Sequence, residues 1–131
     1  MSTESKPLNG EFCWNELMTS NPSKAEKFYK ELFGWTSTSR DMGGKEYTTF
    51  MQGDKSIGGM FQTPKEQADI PPRWVSYINV EDIDKALEKV KSLSGSIIVQ
   101  KTKAGDIGYF AMIQDPTGAQ VALWQMLSGA C

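Results

Sequence analysis

Apolar residues recur with two different periods along the chain, and the change of period separates helices from strands. Between residues 22 and 33 they fall on one face of a helix. That face consists of Ala25, Phe28, Tyr29, Leu32 and Phe33. Asn21 suits the N-cap, Pro22 suits the first helical position, and Gly34 suits the left-handed conformation that ends a helix. We therefore predict a helix whose apolar face, including Phe28, Tyr29 and Phe33, lies in the core.

Strand-like runs lie on both sides of this helix. Short apolar runs bounded by glycine-containing turns are typical of strands. One run precedes the helix and three follow it, at Phe12 to Thr19, Trp35 to Asp41, Lys45 to Gln52 and Ser56 to Gln62. The first half of the chain is therefore predicted to have the order β-α-β-β-β.

The second half repeats this order. Asp82 caps a second helix and Gly95 ends it. The apolar face of this helix consists of Ile83, Ala86, Leu87, Val90 and Leu93. The strands are predicted at Trp74 to Val80, Ser96 to Lys101, Ile107 to Gln114 and Ala119 to Met126. The last two strands are joined by a turn at residues 115–118, with proline in its second position.

The two halves align with each other as an internal repeat. Asn21 matches Asp82 and Gly34 matches Gly95 at the same offset of 61 residues. Residues 58–62 match residues 121–125, and Tyr47 matches Tyr109. A shared order of five elements indicates duplication rather than a chance similarity of two βα segments.

The repeat sets the predicted domain organisation. We expect a flexible tail at 1–10, a first module at 11–62, a proline-rich linker at 63–73 and a second module at 74–127, within a single structural domain. A module of about 50 residues cannot bury enough apolar surface alone, so the modules must pair within the chain or between chains. The predicted fold class is α+β, with two tandem βαβββ modules that form curved mixed sheets around a cavity and carry their helices on the outer face.

Composition and charge exclude several kinds of function. The 131 residues carry a net charge of −2 and include no histidine, so no imidazole base or imidazole metal ligand is available. The near-neutral charge gives no basic surface for nucleic acid or membrane, and no apolar run is long enough to span a bilayer. The first ten residues lack the apolar core of a secretory signal, and the two distant cysteines, Cys13 and Cys131, fit a reducing compartment. These features predict a cytoplasmic protein without nucleic-acid or membrane partners.

Three segments of the chain resemble the vicinal oxygen chelate superfamily, which includes glyoxalase I, extradiol dioxygenases, and bleomycin- and fosfomycin-resistance proteins. These segments are NPSKAEKFYKELFGW, VEDIDKALEKVKSLSG and IQDPTGAQVALWQ. In the metal-dependent members four strand positions supply the ligands, usually histidine and glutamate. The resemblance places those positions at Trp14, Gly59, Val75 and Ala122. None of these side chains can bind a divalent cation, so we expect no metal and no other cofactor.

The same strand faces hold the candidate ligand-binding residues. Because side chains alternate along a strand, Glu16 shares the face of Trp14, and Tyr77 and Asn79 share the face of Val75. Gly59 in the first module and Ala122 in the second lack large side chains on these faces, while Phe61 and Trp124 add aromatic rings to them. We expect these nine residues to line a cavity for a flat, largely apolar or aromatic molecule. Glu16 and Tyr77 are the weak candidates for catalysis.

Three functions remain open at this point. The first is a metal-free protein that binds a small molecule in the cavity between the modules. The second is a divergent enzyme of the lyase or oxygenase type, which would use Glu16 and Tyr77 or a metal at ligands not identified here. The third is an interaction subunit whose concave face is filled by its partner. The resemblance implies a homodimer, with modules paired side by side or exchanged between chains.

Overall fold

The computed structural model describes residues 7–42 and 44–127, so Cys131 lies outside the described residues. These residues group into two compact units. The first unit comprises residues 14–75, and the second comprises residues 7–13 together with 76–127. Neither helix in this part of the chain has the length and apolar character needed to cross a bilayer.

The first unit contains one helix on a four-stranded mixed sheet. Its strand order is β2-β3-β4-β1, with β1 parallel to β4 and the other neighbours antiparallel. The elements are β1 (Phe12–Thr19, whose first two residues group with the second unit), α1 (Pro22–Phe33), β2 (Thr36–Asp41), β3 (Glu46–Gln52) and β4 (Lys55–Gln62). A short 3₁₀ turn at Lys65–Gln67 follows. Residues 63–73, which were predicted as a linker between the modules, group with the first unit.

The second unit has the same arrangement. Its strand order is β5-β8-β7-β6, again with its first and last strands parallel. The elements are β5 (Arg73–Asn79, whose first three residues group with the first unit), α2 (Ile83–Ser92), β6 (Ser96–Ala104), β7 (Gly108–Gln114) and β8 (Gln120–Met126). The prediction of an α+β fold with two βαβββ modules and mixed sheets is therefore confirmed.

Strand register confirms the internal repeat. Glu16 lies opposite Gly59 in the first unit, and Tyr77 lies opposite Ala122 in the second. Each of these pairs joins the first and last strands of its module at matching positions. The duplication therefore extends from the sequence to the pairing of individual residues.

The predicted ends of α1 are confirmed, but most of its apolar face is not in the core. The Asn21 side chain accepts a hydrogen bond from the Lys24 amide at 3.1 Å, and Gly34 adopts φ 75°. Ala25 and Tyr29 pack on a core made by Leu17, Phe50 and Met60.

Three apolar residues of α1 remain exposed. Phe28, Leu32 and Phe33 are 58%, 58% and 54% exposed, so the prediction that Phe28 and Phe33 are core residues is wrong. The apolar stripe of α1 is wider than the strip of helix that one sheet can cover.

The second helix is buried at Ile83 and Leu87, which pack on Ala111 and Leu123. Leu93 was predicted on this face but lies beyond the last helical residue and is 62% exposed.

The C-terminal end of α2 also differs from the prediction. Ser94, not Gly95, adopts the left-handed conformation, with φ 69°. Gly95 is needed for a different reason, because a Cβ there would lie 2.9 Å from Val90 Cγ1 and 3.0 Å from the Gln114 carbonyl oxygen. The glycine thus permits close packing of the helix end against a strand.

Residues 7–10, the described part of the predicted flexible tail, are hydrogen bonded to the end of β5 and to the residues that follow it. The Gly10 amide donates to the Asn79 carbonyl at 2.7 Å, and the Glu81 amide donates to the Asn9 side chain at 2.9 Å. Residues 1–6 of the predicted tail lie outside the described residues.

Candidate functional site

The sheet face opposite α1 carries the predicted site residues of the first unit. Leu17 and Met60 are cross-strand partners and pack in the core under α1. Their neighbours Glu16 and Gly59 therefore point to the other face, because side chains alternate along a strand. Trp14 lies two residues before Glu16 and shares this face. The alternation predicted from the sequence thus holds for this half of the site.

A tyrosine that sequence reasoning did not select lies at the centre of this face. The Trp14 indole Nε1–H donates a hydrogen bond to the Tyr47 hydroxyl at 2.9 Å. The Tyr47 ring passes directly over Gly59, where a Cβ would lie 2.9 Å from Tyr47 Cε2 and would overlap the hydroxyl. Gly59 was expected to leave open space, but Tyr47 occupies it. Glycine at position 59 is therefore required by the tyrosine.

Tyr47 also makes a hydrogen bond with Glu16. Glu16 is a buried residue, with only 6% of its surface exposed. Burial raises the pKa of Tyr47 strongly, and the negative charge and hydrogen bond of Glu16 raise it further. The hydrogen bond from Trp14 lowers this pKa by less than burial and the Glu16 charge raise it, although by more than the Glu16 hydrogen bond does, and the charge of Arg40 lowers it least. The hydroxyl therefore stays protonated at physiological pH. It accepts from Trp14 and donates to Glu16, which gives a directed chain of three side chains.

Phe61 extends the aromatic surface from Tyr47. The two ring centroids lie 6.4 Å apart with the ring planes 28° from parallel. Phe61 also lines a cleft of about 500 Å³ within the first unit. The other walls of this cleft come from Pro22, Gly44, Lys45, Glu46, Thr48, Met60 and residues 62–66. This volume falls within the range of small-molecule sites, which is about 300–1,000 Å³.

Val75, the last residue of the first unit, is buried at 6% exposure. Its isopropyl group has no donor atom for a cation and contributes only apolar surface.

In the second unit Tyr77, Ala122 and Trp124 lie on one sheet face. Tyr77 is 8% exposed, and its ring centroid lies 6.5 Å from that of Trp124 in an edge-on arrangement. Trp124 in turn covers Gly108, where a Cβ would lie 2.6 Å from the indole Cζ2. The predicted residues of this half therefore share a face, and Gly108 is a further residue that the sequence did not single out.

Asn79, predicted to bind a ligand, makes contacts with the N-terminal segment. Its side-chain amide donates to the carbonyl oxygens of Pro7 and Leu8 at 3.0 and 3.3 Å. Its backbone amide donates to the Glu11 carbonyl at 2.7 Å. Asn79 thus fixes the N-terminal segment to β5.

The predicted match of Tyr47 with Tyr109 is wrong by one residue. Thr49 lies opposite Gly59, whereas Met112 lies opposite Ala122, so the register matches Tyr47 with Phe110. Tyr109 packs against the core under α2, on the other sheet face. A one-residue shift moves a side chain to the opposite face. Aligning the two modules in the correct register would have placed Tyr47 on the same sheet face as Gly59 and Phe61.

The side chains at the four positions that the resemblance assigns to metal ligands do not fit a metal ion. Trp14 commits its only polar hydrogen to Tyr47, and an indole has no lone pair to offer a cation. Gly59 has no side chain, while Val75 and Ala122 are buried hydrocarbon. Across residues 7–42 and 44–127, no three side chains of His, Cys, Asp or Glu are grouped as a metal site would require.

Comparison with protein families gives one match that covers most of the chain. The model of the Glyoxalase/Bleomycin resistance protein/Dioxygenase superfamily matches residues 13–123. This range includes the helices, all but the first residue of β1, and most of β8.

Individual relatives agree with this match. A Mycobacterium tuberculosis protein named "Putative glyoxylase CFP32" is 34% identical over 128 residues, which cover 95% of this chain and 49% of that protein. The anthracycline biosynthesis protein DnrV of Streptomyces peucetius is 29% identical over 126 residues, covering 86% of this chain and 46% of that protein. The chain therefore spans about half the length of these curated relatives.

The fold is also found in solved structures. Methylmalonyl-CoA epimerase from Mycobacterium tuberculosis superposes with a TM-score of 0.64 at 11% identity, over 95% of this chain and 93% of the epimerase. At this level of identity the likeness concerns the fold alone.

Proposed function

The chain belongs to the Glyoxalase/Bleomycin resistance protein/Dioxygenase superfamily, and we propose that it is a member that binds a small, largely apolar or aromatic molecule without the family's metal ion. The ligand contacts the sheet face that carries Trp14, Tyr47 and Phe61. The observation that carries this proposal is the chain of hydrogen bonds from Trp14 through Tyr47 to Glu16. Trp14, at the start of this chain, occupies one of the four positions that the resemblance assigns to metal ligands.

The chemistry of these side chains supports an aromatic ligand. Tyr47 and Phe61 present near-parallel rings on one face, and planar molecules stack on such rings with a favourable free energy of about 0.5–1.5 kcal/mol per pair beyond simple burial. Glu16 supplies a buried polar anchor for a ligand N–H or O–H group. One relative is named for anthracycline biosynthesis, and anthracyclines are fused-ring aromatic compounds, which agrees with a ligand of this shape.

The binding proposal is tested by fluorescence titration. An anthracycline such as doxorubicin should quench tryptophan fluorescence saturably, and Trp14→Phe should remove part of the quenched signal. Phe61→Ala should weaken binding by about tenfold, the loss expected for one stacking contact in a pocket. Phe28→Ala is the matched control, because Phe28 is exposed on α1 and should leave the affinity unchanged. Equal effects of both substitutions, or no saturable quenching across a set of planar compounds, would contradict the proposal.

The proposal that the protein binds no metal ion is tested by a separate measurement. Elemental analysis of the purified protein, with calorimetric titration of Ni²⁺, Zn²⁺, Mn²⁺ and Fe²⁺, should give less than stoichiometric metal and no tight binding. Tight binding of one ion per chain would overturn this part and leave the aromatic ligand to be judged by the fluorescence titration.

A second candidate function is a divergent enzyme of the lyase or oxygenase type. The buried hydrogen bond between Glu16 and Tyr47 favours it, because a carboxylate held in this way can accept a proton from a bound substrate. Its catalytic pair would be Glu16 with Tyr47 in addition to, or in place of, Tyr77. Turnover of the hemithioacetal of methylglyoxal and glutathione that is lost in Glu16→Gln would support this function. Under the binding proposal the rate stays at background.

A further inference from the structure

We propose that Arg40 selects the ligand of the candidate site, and that this ligand is a planar aromatic acid whose carboxylate pairs with Arg40 while its rings lie on Tyr47 and Phe61. This inference rests on the proposed function and narrows the class of ligand. A neutral aromatic ligand would satisfy the proposed function and contradict the inference, so the two can fail separately.

Strand register places Arg40 next to Tyr47. The two residues are Cα partners on the antiparallel strands β2 and β3. Side chains directly opposite each other in an antiparallel pair lie on one face, with Cβ atoms about 4.5–5.5 Å apart. Arg40 therefore shares the sheet face of the candidate site. The effect of its positive charge on the pKa of Tyr47, in the lowering direction, agrees with this proximity.

The adjacent pair of residues identifies which face this is. Ser39 and Thr48 are Cα partners whose hydroxyl oxygens lie 3.2 Å apart. Thr48 lies opposite Met60, which belongs to the core under α1. Because side chains alternate along a strand, Arg40 and Tyr47 point to the face opposite α1.

The acidic residues of the same hairpin do not neutralise Arg40 on this face. Asp41 and Glu46 are Cα partners one residue further along, so alternation places their side chains on the α1 face. The Asp41 side chain accepts a hydrogen bond from the Gly44 amide at 2.7 Å. Within residues 7–42 and 44–127, Arg40 takes part in no ion pair. Its exposed guanidinium can therefore pair with an anionic group of a ligand.

Arg40 is the outer end of a row of side chains that crosses the sheet of the first unit. Its strand β2 is the edge strand, and β3, β4 and β1 follow in that order. Tyr47 lies on β3, Phe61 on β4 and the buried Glu16 on β1. The row thus leads from a cation, across two aromatic rings, to a carboxylate. Its outer strands are about 14 Å apart, since neighbouring strands are about 4.8 Å apart.

This row selects a ligand with unlike groups at its two ends. A guanidinium binds a carboxylate through two parallel N–H···O bonds. The ionised carboxyl group of Glu16 can only accept hydrogen bonds, so it requires a ligand hydroxyl or amine hydrogen. An α-amino acid does not fit, because its ammonium and carboxylate groups are on the same carbon atom. A fused two-ring acid with a hydroxyl group far from its carboxylate fits both ends.

The experiment uses 6-hydroxy-2-naphthoate and its amide, 6-hydroxy-2-naphthamide, which share their rings and hydroxyl group but differ in charge. Isothermal titration calorimetry measures the dissociation constant of each compound. The wild type should bind the acid about tenfold more tightly than the amide, a factor between those of a charged hydrogen bond and of a fully exposed ion pair. This preference should decrease as the NaCl concentration rises from about 0.05 to 0.5 M, because salt screens an exposed pair.

Variants assign the preference to one side chain. Arg40→Gln should weaken binding of the acid about tenfold and leave the affinity for the amide unchanged, and Arg40→Lys should keep part of the preference. Lys27→Gln is the matched charge control, because Lys27 is exposed on α1, which covers the other side of the sheet. Lys45→Gln tests a second cation, which lines the cleft together with Phe61. Both lysine variants should keep the full preference, and all of these side chains are exposed, so each variant should unfold thermally like the wild type.

A positional isomer tests the arrangement of the two ends. In 3-hydroxy-2-naphthoate the hydroxyl group lies beside the carboxylate, so this compound cannot contact both Arg40 and Glu16. It should bind about tenfold more weakly than the 6-hydroxy isomer, because it leaves one buried polar contact unmade. Equal affinities of the two isomers would contradict the arrangement.

Two further outcomes would overturn the inference. They are equal affinities of the wild type for the acid and the amide, and a preference for the acid that Arg40→Gln leaves intact. In either case the proposed function still stands, because an aromatic molecule is bound. Failure of both compounds to bind would overturn the inference and contradict the proposed function together.

Discussion

Gly59→Ala tests whether Tyr47 is the residue that organises the candidate site. The new methyl group would lie 2.9 Å from Tyr47 Cε2 and would overlap the tyrosine hydroxyl, so the ring must leave its position. Tyr47 would then lose its hydrogen bonds to Trp14 and Glu16, and both partners are at least partly buried.

The free energy of unfolding should fall by about 3 kcal/mol. Overpacking a well-packed position costs about 1–3 kcal/mol. Leaving a buried polar group without its partner adds about 1–3 kcal/mol. The lower parts of both ranges apply, because Tyr47 can move as a whole toward the open side of the sheet. For a chain of this length the melting temperature should fall by about 10 °C.

Urea unfolding followed by tryptophan fluorescence and circular dichroism measures this change. Gly58→Ala is the matched control on the same strand. Its Cβ would meet the Asn15 carbonyl group, with the oxygen at 3.1 Å, and Trp74 Cζ3 at 3.7 Å, so it should cost about 1 kcal/mol. In a background of Tyr47→Ala, Gly59→Ala should cost little more than Gly58→Ala does. The reasoning is refuted if Gly59→Ala is as mild as Gly58→Ala, or if its cost is the same with and without Tyr47.

Three further predictions concern other contacts. Because the pKa of Tyr47 is raised in the folded state, its contribution to stability is complete below the unfolded pKa of about 10 and is lost as pH rises above it. Urea midpoints measured from pH 8 to 11 should therefore fall more steeply for the wild type than for Tyr47→Phe, and parallel curves would contradict this. Asn79→Ala should lower the free energy of unfolding by about 1–3 kcal/mol and speed hydrogen exchange at Gly10, because Pro7 and Leu8 lose their donor. Unchanged exchange would show that the segment is held by other contacts. Ser94→Gly should raise the melting temperature by about 2 °C. The free energy gained by relieving the left-handed conformation of Ser94 exceeds the free-energy cost of the extra entropy that glycine gives the unfolded chain. A lower melting temperature would argue against strain at Ser94.

Local chemistry in the sequence determined the elements of this fold. Asn21 and Asp82 cap their helices as predicted, because a cap requires only a side-chain oxygen next to the first free amides. The repeat was visible because duplicated modules keep such local signals at constant spacing. The alternation of side chains along β1 and β4 also placed Glu16 and Gly59 on one face without knowledge of the tertiary structure.

Tertiary structure decided which of these residues touch. Tyr47 reaches across β4 to Trp14, a contact between residues 33 apart in sequence, and no local pattern states that a glycine on one strand accommodates a ring from the next. The exposure of Phe28 and Phe33 was equally hidden, because periodicity shows which face of a helix is apolar and not how much of it a sheet covers. Asn79 received a structural role because the N-terminal segment folds back on it. Contacts of this kind depend on strand register and on the width of the sheet, which are properties of the assembled fold.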